Sequence, residues 1–546
     1  MSFATYSKIL AWGAACVTAV LRPTIGESFF RRLEELAARV ARHRTAAWLA
    51  SGLLVLLVRG ALLPLWPIPK PVIYDEFSYL LQADTFAHGR LTNPTHKLWP
   101  FFESAYVLQH PTYASKYPPA QSLAMAAGEV LFGDPWFGVW LSCGVMTAAL
   151  VWAMQGWLPD RWALLGGLLA MPLGISSYWM NSYWGGAVAA IGGALLLGGY
   201  VRVVKRKQVW YALAMGIGIA ILANTRPYEG LVFCIPVAIA FLLSRPLSRQ
   251  RLSAVALIAA VLIPSFAATG YYNRRVTGSA FQLPFTEYAR QYVYIPLFNF
   301  MPLGATKVYR TPVIYDLHQN WEREQWEKAR TWELIPIRLT DWKKAASTVL
   351  GSVLMGLVIV AFFPNLWRDR RIRLPLMCVL AALAGSLIEI CYYQHYAGPA
   401  TAALFILAVQ ALRHLREWRP GGQPVGRFLS RAIPVLVVGA AVASQGIVIL
   451  RQEPPENSQP RNARRAQVER LLEERLGKHV ILVHYTGSQS PHEEWVYNSA
   501  DIDAQDVIWA HDLGSVENAP LLEYYKDRKI WRFQPDINAT WLDPYR

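Results

Sequence analysis

The sequence predicts a mainly α, polytopic membrane helical bundle that ends in a small α/β domain. Three observations predict it. Of 546 residues, 54% are hydrophobic and only 16% charged, more apolar and less charged than a soluble chain of this size. Apolar stretches long enough for a helix to cross the hydrocarbon core recur eleven times. Beyond residue 450 the pattern changes to alternating short helices and strands.

The first unit, residues 1–44, is a basic arm. Within it "ILAWGAACVTAVL" (9–21) is too short for a span and reads as interfacial or signal-like. The stretch "FFRRLEELAARVARHR" (29–44) has apolar residues at helical spacing and arginines elsewhere, the pattern of an interfacial helix or a topology signal.

The second unit, 45–450, holds the spans, at about 46–66, 135–157, 161–178, 185–203, 209–224, 230–243, 252–272, 345–364, 374–392, 397–412 and 432–450. Their orientation follows from charge. The arm carries Arg31, Arg32, Arg39, Arg42 and Arg44, and if it is cytoplasmic, alternate loops must be basic too. They are: "VKRKQ" (204–208), "SRPLSRQR" (244–251), "RDRRIR" (368–373) and "RHLREWRPGGQPVGRFLSR" (413–431). The net charge of +16 thus reflects membrane topology, not nucleic-acid binding. Two long loops, 67–134 and 273–344, fall on the outer side with the third unit, 451–546, as expected of a bacterial-type inner membrane protein with a periplasmic C-terminal domain. Five cysteines all sit in apolar segments, so no disulfide framework is expected.

The third unit opens with a Pro-rich linker, "QEPPENSQP" (452–460). The helical pattern "ARRAQVERLLEERLG" follows, then strands "HVILVHY" and "DVIWAHD", and "APLLEYYKDRKIWRF" as helix then strand.

Unusual residues cluster on the outer side. "YDE" (74–76) places Asp75 and Glu76 where the first span leaves the membrane. Such carboxylates serve as a general base or hold a divalent metal, Mg or Mn; equally, Asp75 caps the next helix and Glu76 favours its dipole. "QHPTYASKYPP" (109–119) carries His110, Lys116 and Tyr117; Lys116 either holds a phosphate or snorkels. In "YWMNSYWGG" (178–186), Tyr183 and Trp184 surround Asn181 as an interfacial belt or a sugar-stacking platform. "NTRPYEG" (224–230) offers Arg226, whose guanidinium suits a phosphate or pairs with Glu229. "YYQHYAGP" (392–399) presents His395 and Tyr396. Five such stretches on one face predict one outward cavity.

In the acidic pair Asp75–Glu76, the amphipathic first loop, "KYPP" (116–119) and the multi-span layout, residues 45–412 resemble the GT-C membrane glycosyltransferases, nearest to the protein O-mannosyltransferase and aminoarabinose lipid A transferase group. That resemblance implies transfer of a sugar, with inversion, from a polyprenyl-phosphate donor to a lipid, glycan or protein acceptor. It casts Asp75 as the catalytic acidic residue that deprotonates or orients the acceptor, with Glu76 in support, and Lys116, Arg226 and His395 as donor-phosphate ligands. From the outer stretches themselves, His110, Tyr117, Asn181, Tyr183, Trp184, Glu229 and Tyr396 are read as substrate-binding. "HYAGP" (395–399) departs from the family's Arg-Tyr…Pro motif by placing His where Arg stands. A transporter of lipid-linked sugar would need polar mid-membrane residues and broken helices. The span interiors are nearly free of charge, apart from Glu389 near an outer end. A scaffold would leave Asp75, Lys116 and Arg226 without a shared purpose.

Overall fold

The computed structural model describes residues 3–244, 248–450, 460–486, 492, 494–538 and 541–545. All but the last residue of the expected linker 452–460 lies outside them. Each of the eleven apolar stretches carries a helix. Among the described residues, six helices are long and apolar enough to cross a membrane: Arg44–Ala61, Trp136–Trp157, Ala187–Val204, Arg249–Thr277, Gln394–Glu417 and Val425–Gly446. Leu334–Leu350 and Met355–Ala361, bent by 112°, make a seventh if counted as one broken span.

The difference from eleven has a visible cause at the stretch 374–392. Its helix, Arg373–Ser386, stops short, and the still apolar chain unwinds through Leu387–Tyr393. Arg338 holds this break, its Nε donating to the Ser386 carbonyl at 2.8 Å and its Nη2 to that of Glu389. A helix would consume those carbonyls internally; here a guanidinium satisfies them instead.

Small residues let the central helices approach closely, as packing without a strong hydrophobic drive requires. A Cβ on Gly193, for example, would sit 1.9 Å from the Pro399 carbonyl oxygen. That contact presses Ala187–Val204 against the turn Gln394–Ala400, which bears His395 and Tyr396. Charge is not confined to Glu389. Arg59 and Arg202, near helix ends, are buried and donate to the carbonyls of Trp66, Gly198 and Trp152 at 2.8–2.9 Å.

The arm forms the helices Phe3–Leu21 and Glu27–Arg42. On the second, Phe29, Leu33, Leu36 and Val40 are exposed. Glu27 and Glu34 instead pair with Arg416, Arg427 and Arg431, tying the arm to the end of the helix Thr401–Glu417 and the start of Val425–Leu450.

At the other end of the bundle the two long loops and the C-terminal region pack together. Tyr106, Leu108 and Ala114 of the first loop share a core with Tyr288, Val313 and Leu317 of the second. The C-terminal region forms a sheet in the order Val507–His511, His479–Val483, Lys529–Phe533, Leu542–Pro544; the first three strands are parallel and the last antiparallel. Strand alternation divides its faces. Ile481, Val483 and Trp509 pack with Val468 and Leu472 of the helix Pro460–Glu473. Val480, Leu482 and Ile508 pack on Leu81, Phe101 and Phe102 of the first loop. Hydrogen bonds fix this seam: Ala500 N donates to Asp84 Oδ2 (2.7 Å), Tyr113 Oη to the Asn498 carbonyl (3.1 Å) and His511 Nε2 to the Glu103 carbonyl (2.7 Å).

Candidate functional site

A cavity of about 330 Å³ opens where these elements meet, and all five unusual stretches contribute to its wall. Asp75, Lys116, Arg226 and His395 line it, together with Tyr117, Trp184, Glu229 and Tyr396.

The adjacent acids of "YDE" part company. The helix Tyr74–Ala87 begins after Ile73, which makes Glu76 its third residue. Glu76 Oε2 reaches back to accept from Val72 N (2.6 Å) and Ile73 N (3.3 Å), and Oε1 accepts from Tyr183 N at 2.9 Å. Glu76 therefore closes the helix start and clamps it to the 178–186 turn. Burial pushes its pKa up to about 7, although the three N–H groups pull the other way. Asp75, relieved of capping, is half-buried on the cavity wall and accepts a short hydrogen bond from Tyr117 Oη.

Lys116 follows a hairpin of two-residue strands in which Val107–Leu108 pairs with Ala114–Ser115. Tyr106, with φ of 66°, turns the chain into it. The ammonium sits 3.2 Å from the centre of the Tyr106 ring and 5.1–5.3 Å from those of Tyr117, Tyr288 and Phe285. Four rings cradle the cation, which forms no ion pair among the described residues. Burial lowers its pKa to about 8, against the pull of Asp75 and Glu322. Arg226 ends the preceding turn as the N-cap of Pro227–Leu243, 3.6 Å from Glu229 Oε1, with its guanidinium 4.2 Å from the Tyr396 ring centre. His395 Nδ1 meets Tyr178 Oη at 3.0 Å, and its ring abuts Trp184 with centroids 5.0 Å apart.

Three expected substrate contacts are not on the wall. His110 is exposed and packs edge-on against Trp99, its ring 4.5 Å away. Asn181 is buried; its Oδ1 accepts from Arg59 Nη2 at 3.2 Å and its Nδ2 donates to Ser177 O at 2.9 Å. Tyr183 donates to the Pro69 carbonyl at 3.0 Å. The "YWMNSYWGG" turn is thus mostly internal packing, with Trp179 fully buried, and only Trp184 reaches the cavity wall from the predicted platform.

A divalent metal expected at Asp75 and Glu76 would draw first on Asp75, because both Glu76 oxygens already accept from N–H groups. Among the described residues, ligand-type atoms converge instead at Asp84, His88 and Glu129, all within 4.8 Å of one another and off the cavity wall. His88 Nδ1 there pairs with Asp84 Oδ1 at 2.9 Å.

Glu389 and Tyr393 also line the cavity, as do Trp321, Glu322 and His492, which lie in none of the five stretches. One signal was present: His318 and Glu322 stand four residues apart in the second outer loop, one helical turn.

No protein-family model matches the chain, and no curated protein matches it. Among solved structures it is similar to ArnT from Cupriavidus metallidurans in the apo state, at 15% identity and a TM-score of 0.47, over 89% of this chain and 94% of that one. The same protein bound to undecaprenyl phosphate gives 15% identity and 0.47 over 90% and 93%. The Archaeoglobus fulgidus oligosaccharyltransferase tethered to an acceptor peptide gives 12% identity and 0.45 over 88% and 68%.

Proposed function

We propose that this chain is a membrane glycosyltransferase that moves a sugar from a polyprenyl-phosphate donor to an acceptor hydroxyl in this cavity. One observation carries the reading: a carboxylate and two cations from three separate elements, Asp75, Lys116 and Arg226, line one cavity at the end of an apolar bundle. A lipid-linked phosphate is the ligand such a cavity suits. Its tail stays among the helices while buried cations meet its charge. The resemblance of "YDE" and "KYPP" to GT-C enzymes points the same way.

In this reaction Asp75 takes the proton of the acceptor hydroxyl as that oxygen forms its bond to the anomeric carbon. The bond from that carbon to the phosphate oxygen breaks, and its electron pair leaves with the polyprenyl phosphate. Lys116 and Arg226 stabilise the charge that develops on the departing phosphate. A single displacement inverts the anomeric centre. Tyr117 orients Asp75, and Glu76 holds the helix that presents it. His395, Tyr396, Trp184 and Glu229 complete the donor side. The basic loops support a reading in which this end of the bundle faces outward from a bacterial-type inner membrane, with the C-terminal region periplasmic.

The test is incubation of the purified protein with a panel of polyprenyl-phosphate sugars, following release of the lipid phosphate. Release by the parent and its loss in Asp75→Asn is the expected result; equal release by the variant overturns the assignment.

A further inference from the structure

A second carboxylate faces the cavity under separate control. Glu322 comes from the second long loop, just after a six-residue π-turn, Asp316–Trp321, an irregularity that frequently marks functional sites. Its side chain is 13% exposed, and one oxygen, Oε2, accepts from His318 Nδ1 at 2.7 Å. His318 is fully buried, and its other nitrogen, Nε2, lies 3.1 Å from Tyr288 Oη. A carboxylate oxygen can only accept, so Nδ1 carries the proton, and the Tyr288 hydroxyl donates to Nε2. The imidazole is thereby fixed as the Nδ1–H tautomer, aimed at Glu322.

This relay runs from Tyr288 through His318 and ends on a cavity-lining carboxylate. Among the described residues Glu322 forms no ion pair with Lys or Arg, so it is not the neutralising half of a salt bridge. Glu322, Asp75 and Lys116 line the same cavity. Beside Glu322, Trp321 lines the same wall, its indole edge-on to His492 with centroids 4.8 Å apart. A fixed carboxylate next to an indole is a pairing suited to a sugar ring: the carboxylate accepts hydroxyl protons and the indole packs on the apolar face. A phosphate would be repelled there.

We infer that Glu322 and Trp321 form the acceptor subsite, with Glu322 holding a second hydroxyl of the molecule whose reacting hydroxyl meets Asp75, so that the acceptor is a saccharide or similar polyol. His318 and Tyr288 are positioning residues for Glu322. This assignment rests on the glycosyl-transfer reading above.

The experiment compares Glu322→Gln, His318→Ala, His318→Asn and Asp75→Asn with the parent in two assays. One measures transfer from polyprenyl-phosphate sugars to a set of saccharides and to Ser/Thr peptides. The other measures binding of undecaprenyl phosphate. Glu322→Gln is expected to lower transfer to saccharides about 10- to 100-fold, the effect of losing a charged hydrogen bond, while undecaprenyl phosphate binds as well as to the parent. His318→Ala should follow it, and His318→Asn, whose amide N–H stands near the Nδ1 position, should recover part of the loss. Transfer by Glu322→Gln at the parent rate overturns the inference, as does a weakening of undecaprenyl phosphate binding in step with transfer, or Asp75-dependent transfer to peptides alone. Absence of Asp75-dependent transfer from the whole panel overturns the glycosyl-transfer reading and this assignment with it.

Discussion

Lys116 Nζ rests 3.2 Å from the centre of the Tyr106 ring, inside a cradle of four aromatic side chains. The rings stabilise the cation without neutralising it, which leaves its charge available to an incoming anion. Burial holds its pKa at about 8, so the ammonium loses its proton as pH rises through that value. Undecaprenyl phosphate binding should therefore be strong at neutral pH and weaken above about pH 8. Lys116→Met should bind it weakly at every pH, and a titration of binding between pH 6.5 and 9.5 checks both.

The neighbouring acids of the first loop should separate cleanly on mutation. Asp75→Asn is expected to abolish turnover with little change in unfolding temperature, because its carboxylate sits half-buried on the cavity wall, holds the Tyr117 hydroxyl and closes no helix end. Glu76→Gln should do the reverse. It presents one acceptor oxygen to three N–H groups and orphans at least one, costing about 1–3 kcal/mol for each buried group left unpaired. Thermal unfolding measured beside turnover distinguishes the two.

Asn181 makes a third contrast. Its Oδ1 is the only side-chain acceptor that Arg59 contacts among the described residues; Arg59 is itself fully buried against Trp66 and Trp136. Asn181→Leu removes it and strands part of a buried cation, so stability should fall by several kcal/mol, on the order expected for breaking a buried charged contact. The KM of the folded fraction for any donor should not change. A raised KM with unaltered stability would return Asn181 to the substrate.

The legible features were those the solvent imposes locally. Hydrocarbon demands apolar runs, so every span stretch shows in the composition; strand alternation reveals the C-terminal sheet in the same way. The break at Leu387–Tyr393 did not show, because the chain stays apolar while a distant residue, Arg338, takes over its carbonyls. The division of labour between Asp75 and Glu76 was hidden for the same reason: it depends on Tyr183 N, 107 residues further on. Glu322 gains its meaning only when the second loop folds over the first, and its one local trace was the four-residue spacing from His318. Asn181 misled because an amide among aromatics looks like a ligand-binding group when its partner, Arg59, lies in another helix.

The seam between the C-terminal sheet and the first loop carries its own pH dependence. His511 is buried, close to the Tyr485 ring, and donates Nε2–H to the Glu103 carbonyl at 2.7 Å. Burial lowers its pKa from 6.5 to about 4, outweighing the hydrogen bond, so the folded seam prefers neutral imidazole. The sign follows from linkage. The unfolded chain takes up the proton first, so the contribution is complete above pH 6.5, declines as pH falls from there, and is lost below about pH 4. The difference amounts to about 3 kcal/mol at full extent. Lowering the pH from 7 to 5 should thus loosen the sheet from the loop before the helical bundle yields. Hydrogen exchange of the strand Val507–His511 and of residues 99–108 should accelerate together, and His511→Gln should remove most of the pH dependence while lowering stability at pH 7. Exchange at the seam that is equally slow at both pH values in the parent would show that the imidazole is not held neutral by its burial.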